Sequence, residues 1–190
     1  MIAVSAMGAL GHAGLLTVLA ASVLGALSTG LAIRTGNTSG LRQAPVYGWV
    51  LAIGALVAVI AMQVALDQRD YSLAYVQQVG SHTTPPLYNV AAMWSALEGS
   101  ILLWVVILAG FTAAVGWRFR NRAGDSLVGW ALVVMFIVSA FFALIAFGPA
   151  NPFAAGTPQP ADFDGPGPNP LLQNHILVLF HPPILYLGYV

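Results

Sequence analysis

The chain has 190 residues, 58% of them hydrophobic and 6% charged, with a mean hydropathy of +0.83; soluble domains are about one-quarter charged, so this is the composition of an integral membrane protein. Its basic residues are all arginine, are balanced by acids and form no run, so nothing could follow a phosphate backbone and nucleic acid is excluded as a partner. Without cysteine there is no disulfide, thiolate metal site or thiol chemistry, and any redox step belongs to a bound cofactor or to another protein.

No arginine or lysine precedes Arg34, so the N-terminal segment lacks the basic region of a signal peptide and its apolar run is expected to stay as a helix. Leu10 to Ile33 reaches about 36 Å at 1.5 Å per residue, enough to span a bilayer with some tilt. A polar turn with Arg34, Gly36, Asn37, Arg42 and Pro45 leads to a second span over 46–66. Residues 67–90 read as a polar connection broken by Gly80 and Pro85-Pro86. A third helix is expected over 91–117, ended by Arg118, Arg120 and Arg122, and a fourth over 127–147, closed by Gly148-Pro149. The proline-rich stretch after it can be neither helix nor central strand, so 148–182 is an extended loop that ends on a membrane-surface segment. From 183 onward the uncharged residues to Val190 read as the opening turns of a further membrane helix. The expectation is an all-α polytopic membrane protein: one transmembrane domain over 1–190, with four complete transmembrane helices and the start of a fifth.

Arginine sets the orientation. The first and third connections carry Arg34, Arg42, Arg118, Arg120 and Arg122, the second carries Arg69 alone and the fourth none, which makes the first and third cytoplasmic. The N-terminus, both loops 67–90 and 148–182, and His181 then share the periplasmic face.

Proline disfavours the helical region for the residue before it yet suits a helix's first turn, so His181 is expected as the last non-helical residue before a helix beginning at Pro182 or Pro183. A neutral imidazole at a helix mouth is a candidate iron ligand, and equally an interfacial side chain bonded to a loop carbonyl. Trp94, Leu97, Ile101, Trp104 and Leu108 form a stripe at helical spacing, which reads as packing and interface anchoring before it reads as a cofactor platform. Glu98 at membrane depth needs a partner, from loop hydroxyls, backbone N–H groups or a folded-back Arg69, and is either a structural anchor or a substrate-positioning group. His82 and His175 are rival ligands in loops, His12 reads as interfacial, and Asp162 and Asp164 lack the other ligands of a calcium site.

Two ordered motifs carry a resemblance. Asn169-Pro170-Leu171-Leu172-Gln173 followed by His181-Pro182-Pro183-Ile184-Leu185-Tyr186-Leu187-Gly188-Tyr189, preceded by Tyr75-Val76, Pro86-Leu87-Tyr88, Trp94 and Glu98-Gly99-Ser100-Ile101-Leu102-Leu103-Trp104, resembles the N-terminal portion of the CcmF/NrfE family of bacterial haem lyases for cytochrome c maturation. The resemblance implies a multi-pass inner-membrane protein, active on its periplasmic face, that joins haem vinyl groups to the cysteines of a Cys-X-X-Cys-His motif on apocytochrome c. It implies that His181 is one of two axial ligands to the substrate haem b, with Pro182 and Pro183 positioning it and Trp94, Glu98, Trp104, Asn169, Gln173 and Tyr186 as support. The family's pattern has a histidine where this sequence has Leu97, so no role is carried to that position. The second ligand, a tryptophan-rich segment and the histidines of a permanent haem b belong to parts outside these residues. The implied partners are apocytochrome c, a haem-delivery chaperone and other maturation proteins, the remainder of the lyase and the lipid bilayer. From other function classes, a proton-pathway or transport subunit and a non-haem scaffold of a maturation complex stand as alternatives. Against transport, Glu98 has no basic partner within a span and no inverted repeat is visible.

Overall fold

The computed structural model describes residues 5–170 and 175–190. Four helical segments are long and apolar enough to cross a membrane: α1 (Ala6–Thr35), α3 (Ala44–Gln68) extended at its start by the single turn α2 (Thr38–Leu41), α6 (Leu97–Arg118) and α7 (Ser126–Phe147). Two short helices, α4 (Ala74–Val79) and α5 (Pro86–Ala92), lie between α3 and α6, and α8 (Leu177–Tyr189) closes the chain. Among the described residues there is no strand, only an isolated bridge between Leu73 and Ala155. The protein is all-helical and multi-pass, as its composition predicts.

The long helices form a closed ring. Helix α1 packs on α3 and α7, and α6 packs on the same two, which puts α1 and α6 on one diagonal. Lipid removes the hydrophobic drive for helices to associate, so close packing of small residues must hold them. A Cβ on Gly14 would lie 2.7 Å from the carbonyl oxygen of Gly54, and one on Gly54 would lie 2.9 Å from that of Gly14, so the backbones of α1 and α3 touch there. Fully buried Ala55, Ala58, Ala61 and Ala65 continue the small-residue surface of α3, and the buried ring of Phe136 on α7 fills the notch at Gly25 of α1.

At one end of the ring, the connections carrying Arg42 and Gly124 approach each other. There Asp125 caps α7, accepting from the Leu127 amide at 2.9 Å and from the Arg122 guanidinium at 2.6 Å, while Arg120 lies over the Trp117 ring.

The opposite end is covered. The amide of Ala74 donates to the Ala154 carbonyl at 2.9 Å and that of Gly156 to the Ser72 carbonyl at 2.7 Å, tying the start of α4 to the proline-rich loop. Leu73, Tyr75, Val76, Val79 and Phe153 are buried beneath this junction. The connection that reads as polar in sequence is therefore a lid with its own apolar floor, and Phe153 sits so close to Gly11 of α1 that a Cβ there would meet its ring at 2.1 Å. Arg69, offered by the sequence as a partner for Glu98 if its loop folded back, instead takes the left-handed conformation that ends α3 and turns its guanidinium onto the Ser81, Leu66 and Asp67 carbonyls.

Two helix starts differ from the sequence expectation. The pattern predicts one helix over 91–117, yet α6 begins at Leu97 and residues 93–96 form a turn after α5. At this interruption the buried Tyr75 hydroxyl lies 2.9 Å from the carbonyl oxygens of both Ala92 and Met93, acceptors that a continuous helix would offer to its own amides. The last helix begins at Leu177, so His181, Pro182 and Pro183 lie within it and the expectation of a non-helical His181 is wrong.

Candidate functional site

A proline in a helix interior removes one amide and crowds the carbonyl four residues earlier. For Pro182 that carbonyl belongs to Val178, and the Trp94 indole Nε1–H donates to it at 2.8 Å. An external donor thus replaces the missing amide, which is why the helix runs through the prolines. Eleven residues deeper on the same helix, Tyr189 stacks on Trp104 with ring centroids 6.1 Å apart, and Tyr186 meets Trp104 at 5.7 Å. Trp104 in turn stacks on Phe142 of α7 at 4.7 Å. Helix α8 therefore hangs on two tryptophans and runs parallel to α6, with no residue of its own fully buried.

His181 is exposed on this helix and makes no hydrogen bond among the described residues. Leu177, Ile184 and Leu185, at helical spacings that share its face, are exposed too. The result is an unengaged imidazole within an apolar stripe.

The other three histidines are engaged. His12 uses both ring nitrogens, Nδ1 at 2.9 Å from the Gly8 carbonyl and Nε2 at 3.1 Å from the Asn151 amide nitrogen, with its ring against Phe147 and Phe153. His175 accepts the Leu177 amide on Nδ1 at 3.3 Å, capping the start of α8. His82 is not simply solvated: its Nδ1 lies 3.1 Å from Asp164.

Asp164 organises the loops on this end. Its carboxylate takes the Tyr71 hydroxyl at 2.7 Å, the Ser81 hydroxyl at 3.1 Å and the His82 amide at 3.0 Å. The Tyr71 hydrogen bond, followed by that amide, holds the carboxyl well below the usual carboxylate range. Burial first and the Asp164 carboxylate second push the Tyr71 phenol up. Among the described residues no group of three or more metal-ligating side chains gathers around Asp162.

Glu98 opens α6, where the positive end of the helix dipole favours a carboxylate. Among the described residues its buried Oε2 has no hydrogen-bond partner, and neither has the buried Oδ1 of Asn89 on α5. Next to it, Gly99 leaves no room for a side chain: a Cβ would lie 1.7 Å from the Met93 carbonyl oxygen and 2.3 Å from the Tyr75 hydroxyl. The Glu-Gly pair is thus fixed by packing of the 93–96 turn. Asn169 is exposed at the end of the proline-rich loop, and Gln173 lies outside the described residues.

A family model described as cytochrome C assembly protein matches residues 94–190, just over half of the chain. The chain belongs to the cytochrome c assembly protein family. The matched stretch begins at Trp94, so it contains both ends of the hydrogen bond that joins Trp94 to α8. Among curated relatives of CcmF/NrfE type, the chain is 35% identical over 158 residues to the cytochrome c-type biogenesis protein CcmF of Escherichia coli K12, covering 83% of this chain and 24% of that protein. It is 34% identical over 145 residues to NrfE of Haemophilus influenzae, covering 76% of the chain and 22% of the relative. A solved structure titled cytochrome c haem lyase CcmF superposes with a TM-score of 0.81 at 31% identity, covering 97% of this chain and 28% of that one. The chain spans about a quarter of the length of the relatives it matches, and corresponds to the N-terminal portion of a CcmF/NrfE-type protein.

Of the residues predicted to form the site, the fold brings Trp94, Trp104, Tyr186 and the His181 helix together, and leaves Glu98 at the neighbouring turn. Tyr75, Gly99 and Asp164, which hold this end in shape, have no local sequence signal beyond their place within or near the family motifs.

Proposed function

We propose that this chain forms the part of a membrane haem lyase that presents His181 as an axial ligand to the iron of the substrate haem b, on the periplasmic side of a bacterial inner membrane. One observation carries the reading: among the described residues His181 is the one histidine with neither ring nitrogen engaged, and it stands in an exposed apolar stripe suited to the face of a porphyrin. The gathering of arginine at the opposite end of the ring supports the periplasmic placement.

The reaction adds each cysteine S–H of apocytochrome c across a haem vinyl group, forming a thioether without net oxidation. This chain has no cysteine, so both thiols come from the apocytochrome. What its residues contribute is placement: His181 fixes the iron, and through it the position of the vinyl edge relative to an incoming cysteine pair. The loops bound by Asp164 offer a docking surface at the same end of the ring. A second ligand, a permanent haem b and the contacts with a haem-delivery chaperone belong to the remainder of the lyase.

The test is maturation of a reporter cytochrome by the assembled lyase. His181→Ala should lower holocytochrome formation steeply at unchanged lyase abundance, and free imidazole should restore part of it by occupying the vacated coordination position. His82→Ala is the control on the same end of the molecule, because Asp164 orients that ring and leaves its Nε2 free, an arrangement that also suits a ligand. Normal maturation by His181→Ala with a loss in His82→Ala would move the assignment to His82.

A further inference from the structure

From the Trp94 contact we infer that Trp94 is the positioning residue of His181: its indole N–H pins the helix at the gap that Pro182 leaves in its hydrogen-bond ladder, and so fixes where the imidazole stands. The inference rests on the reading of His181 as an axial ligand.

With prolines at 182 and 183, the Val178 and Leu179 carbonyls lose their ordinary donors within the helix. His181 lies between those carbonyls and the prolines, in the one turn of α8 that its own ladder does not brace. A helix freed in this way pivots, and an imidazole at the pivot would sweep an arc. The Trp94 Nε1–H, at 2.8 Å from the Val178 oxygen, removes that freedom for the first of the two carbonyls.

An indole is a useful pin only if it is itself held, and this one is. Trp94 sits in the 93–96 turn, its amide donates to the Ala91 carbonyl at 3.0 Å, and its carbonyl accepts the Ser100 hydroxyl at 3.1 Å. One residue earlier, the Tyr75 hydroxyl holds Met93, and Tyr75 is buried against the core. Rigidity thus passes from the lid through the interruption ahead of α6 to the Val178 carbonyl, and from there, one helical turn on, to His181. The interruption has a purpose on this account. Were α6 continuous from residue 91, Trp94 would be one more residue on a helix surface, without the turn that directs it at α8.

The experiment uses the assembled lyase with cysteines outside these residues replaced; this chain itself contributes none. Nitroxides go on Leu127 and Ile184, both exposed and at opposite ends of the ring, and the width of their distance distribution reports the freedom of α8 beyond the break. Trp94→Phe keeps the ring and deletes the donor. It should broaden the distribution and lower holocytochrome formation by roughly fivefold, the range expected when a part-buried carbonyl loses its hydrogen bond, and free imidazole should recover part of that loss. Trp94→His, which retains a ring N–H, should fall between. In the Pro182→Ala background the helix supplies its own amide to Val178, so adding Trp94→Phe should change the width no further. An unchanged width in Trp94→Phe, or equal broadening in both backgrounds, would overturn the role of Trp94 even if His181→Ala abolished maturation. Normal maturation by His181→Ala would overturn the ligand reading beneath it, while the coupling between Trp94 and Pro182 would still show in the widths.

Discussion

Replacing Gly99 by alanine sets two effects of opposite sign against each other. On helix propensity alone, alanine in the first turns of α6 would stabilise by about 1 kcal/mol. The added Cβ, however, would lie 1.7 Å from the Met93 carbonyl oxygen and 2.3 Å from the Tyr75 hydroxyl, where carbon and oxygen normally keep about 3.3 Å or more apart. Neither neighbour yields freely, since the carbonyl is held by Tyr75 and Tyr75 is 2% exposed. Overpacking of this kind costs about 1–3 kcal/mol, and breaking the Tyr75 contact leaves a buried hydroxyl unpaired at about another 1–3 kcal/mol. The net expectation is a loss of about 3 kcal/mol for Gly99→Ala. Denaturant unfolding in mixed micelles measures it, with Tyr75→Phe/Gly99→Ala as the partner variant. The double variant should lose less than the sum of the singles, because the phenylalanine has already given up the hydroxyl that the Cβ strikes. A Gly99→Ala protein as stable as the parent, or more stable by the propensity increment, would refute the close approach of α6 to the 93–96 turn.

Single cysteines at Ser39 and Asn121, both exposed at the arginine end, should be shielded from an impermeant thiol reagent in intact spheroplasts, while cysteines at Thr157 and Ala161 should react; labelling in the reverse sense would invert the topology. The loop junction should also respond to acid. Because the folded carboxyl of Asp164 titrates below its ordinary value of 3.8, its contribution is fully present above about pH 4 and is lost as pH falls through the lower folded value. A nitroxide at Ala161 should therefore be immobile at neutral pH and gain mobility only in acid, and Asp164→Asn should be mobile at both; equal mobility of the two proteins at neutral pH would show that Asp164 does not hold the loop.

Much of the fold is legible in the sequence because lipid imposes it. Uninterrupted apolar runs as long as a bilayer is thick, ended by Arg34, by Asp67 and by the Arg118, Arg120 and Arg122 group, have few other structures open to them. What the sequence hides comes from contacts distant along the chain. The break before α6 depends on a Tyr75 hydroxyl 17 and 18 residues away from the carbonyls it meets, and nothing at 93–96 itself announces it. The continuation of α8 through Pro182 depends on Trp94, 84 residues away from its acceptor, and local rules for proline correctly predict a break where no external donor exists. Asp164 looks like one acid in a glycine- and proline-rich loop until Tyr71, Ser81 and His82 close on it. The candidate site residues are nameable from the motif but their contacts are not: Trp94 reads as an anchor at helical spacing, and only the fold shows its N–H turned to the Val178 carbonyl.

If His181 reaches iron, the coordination state of the haem reports it. In the assembled lyase with substrate haem bound, electron paramagnetic resonance of the ferric form should show a six-coordinate low-spin centre for the parent protein. His181→Ala should convert it to a high-spin centre lacking one axial ligand, and added imidazole should return it to low spin. A His181→Ala protein that binds the same amount of haem with an unchanged low-spin spectrum would contradict the assignment.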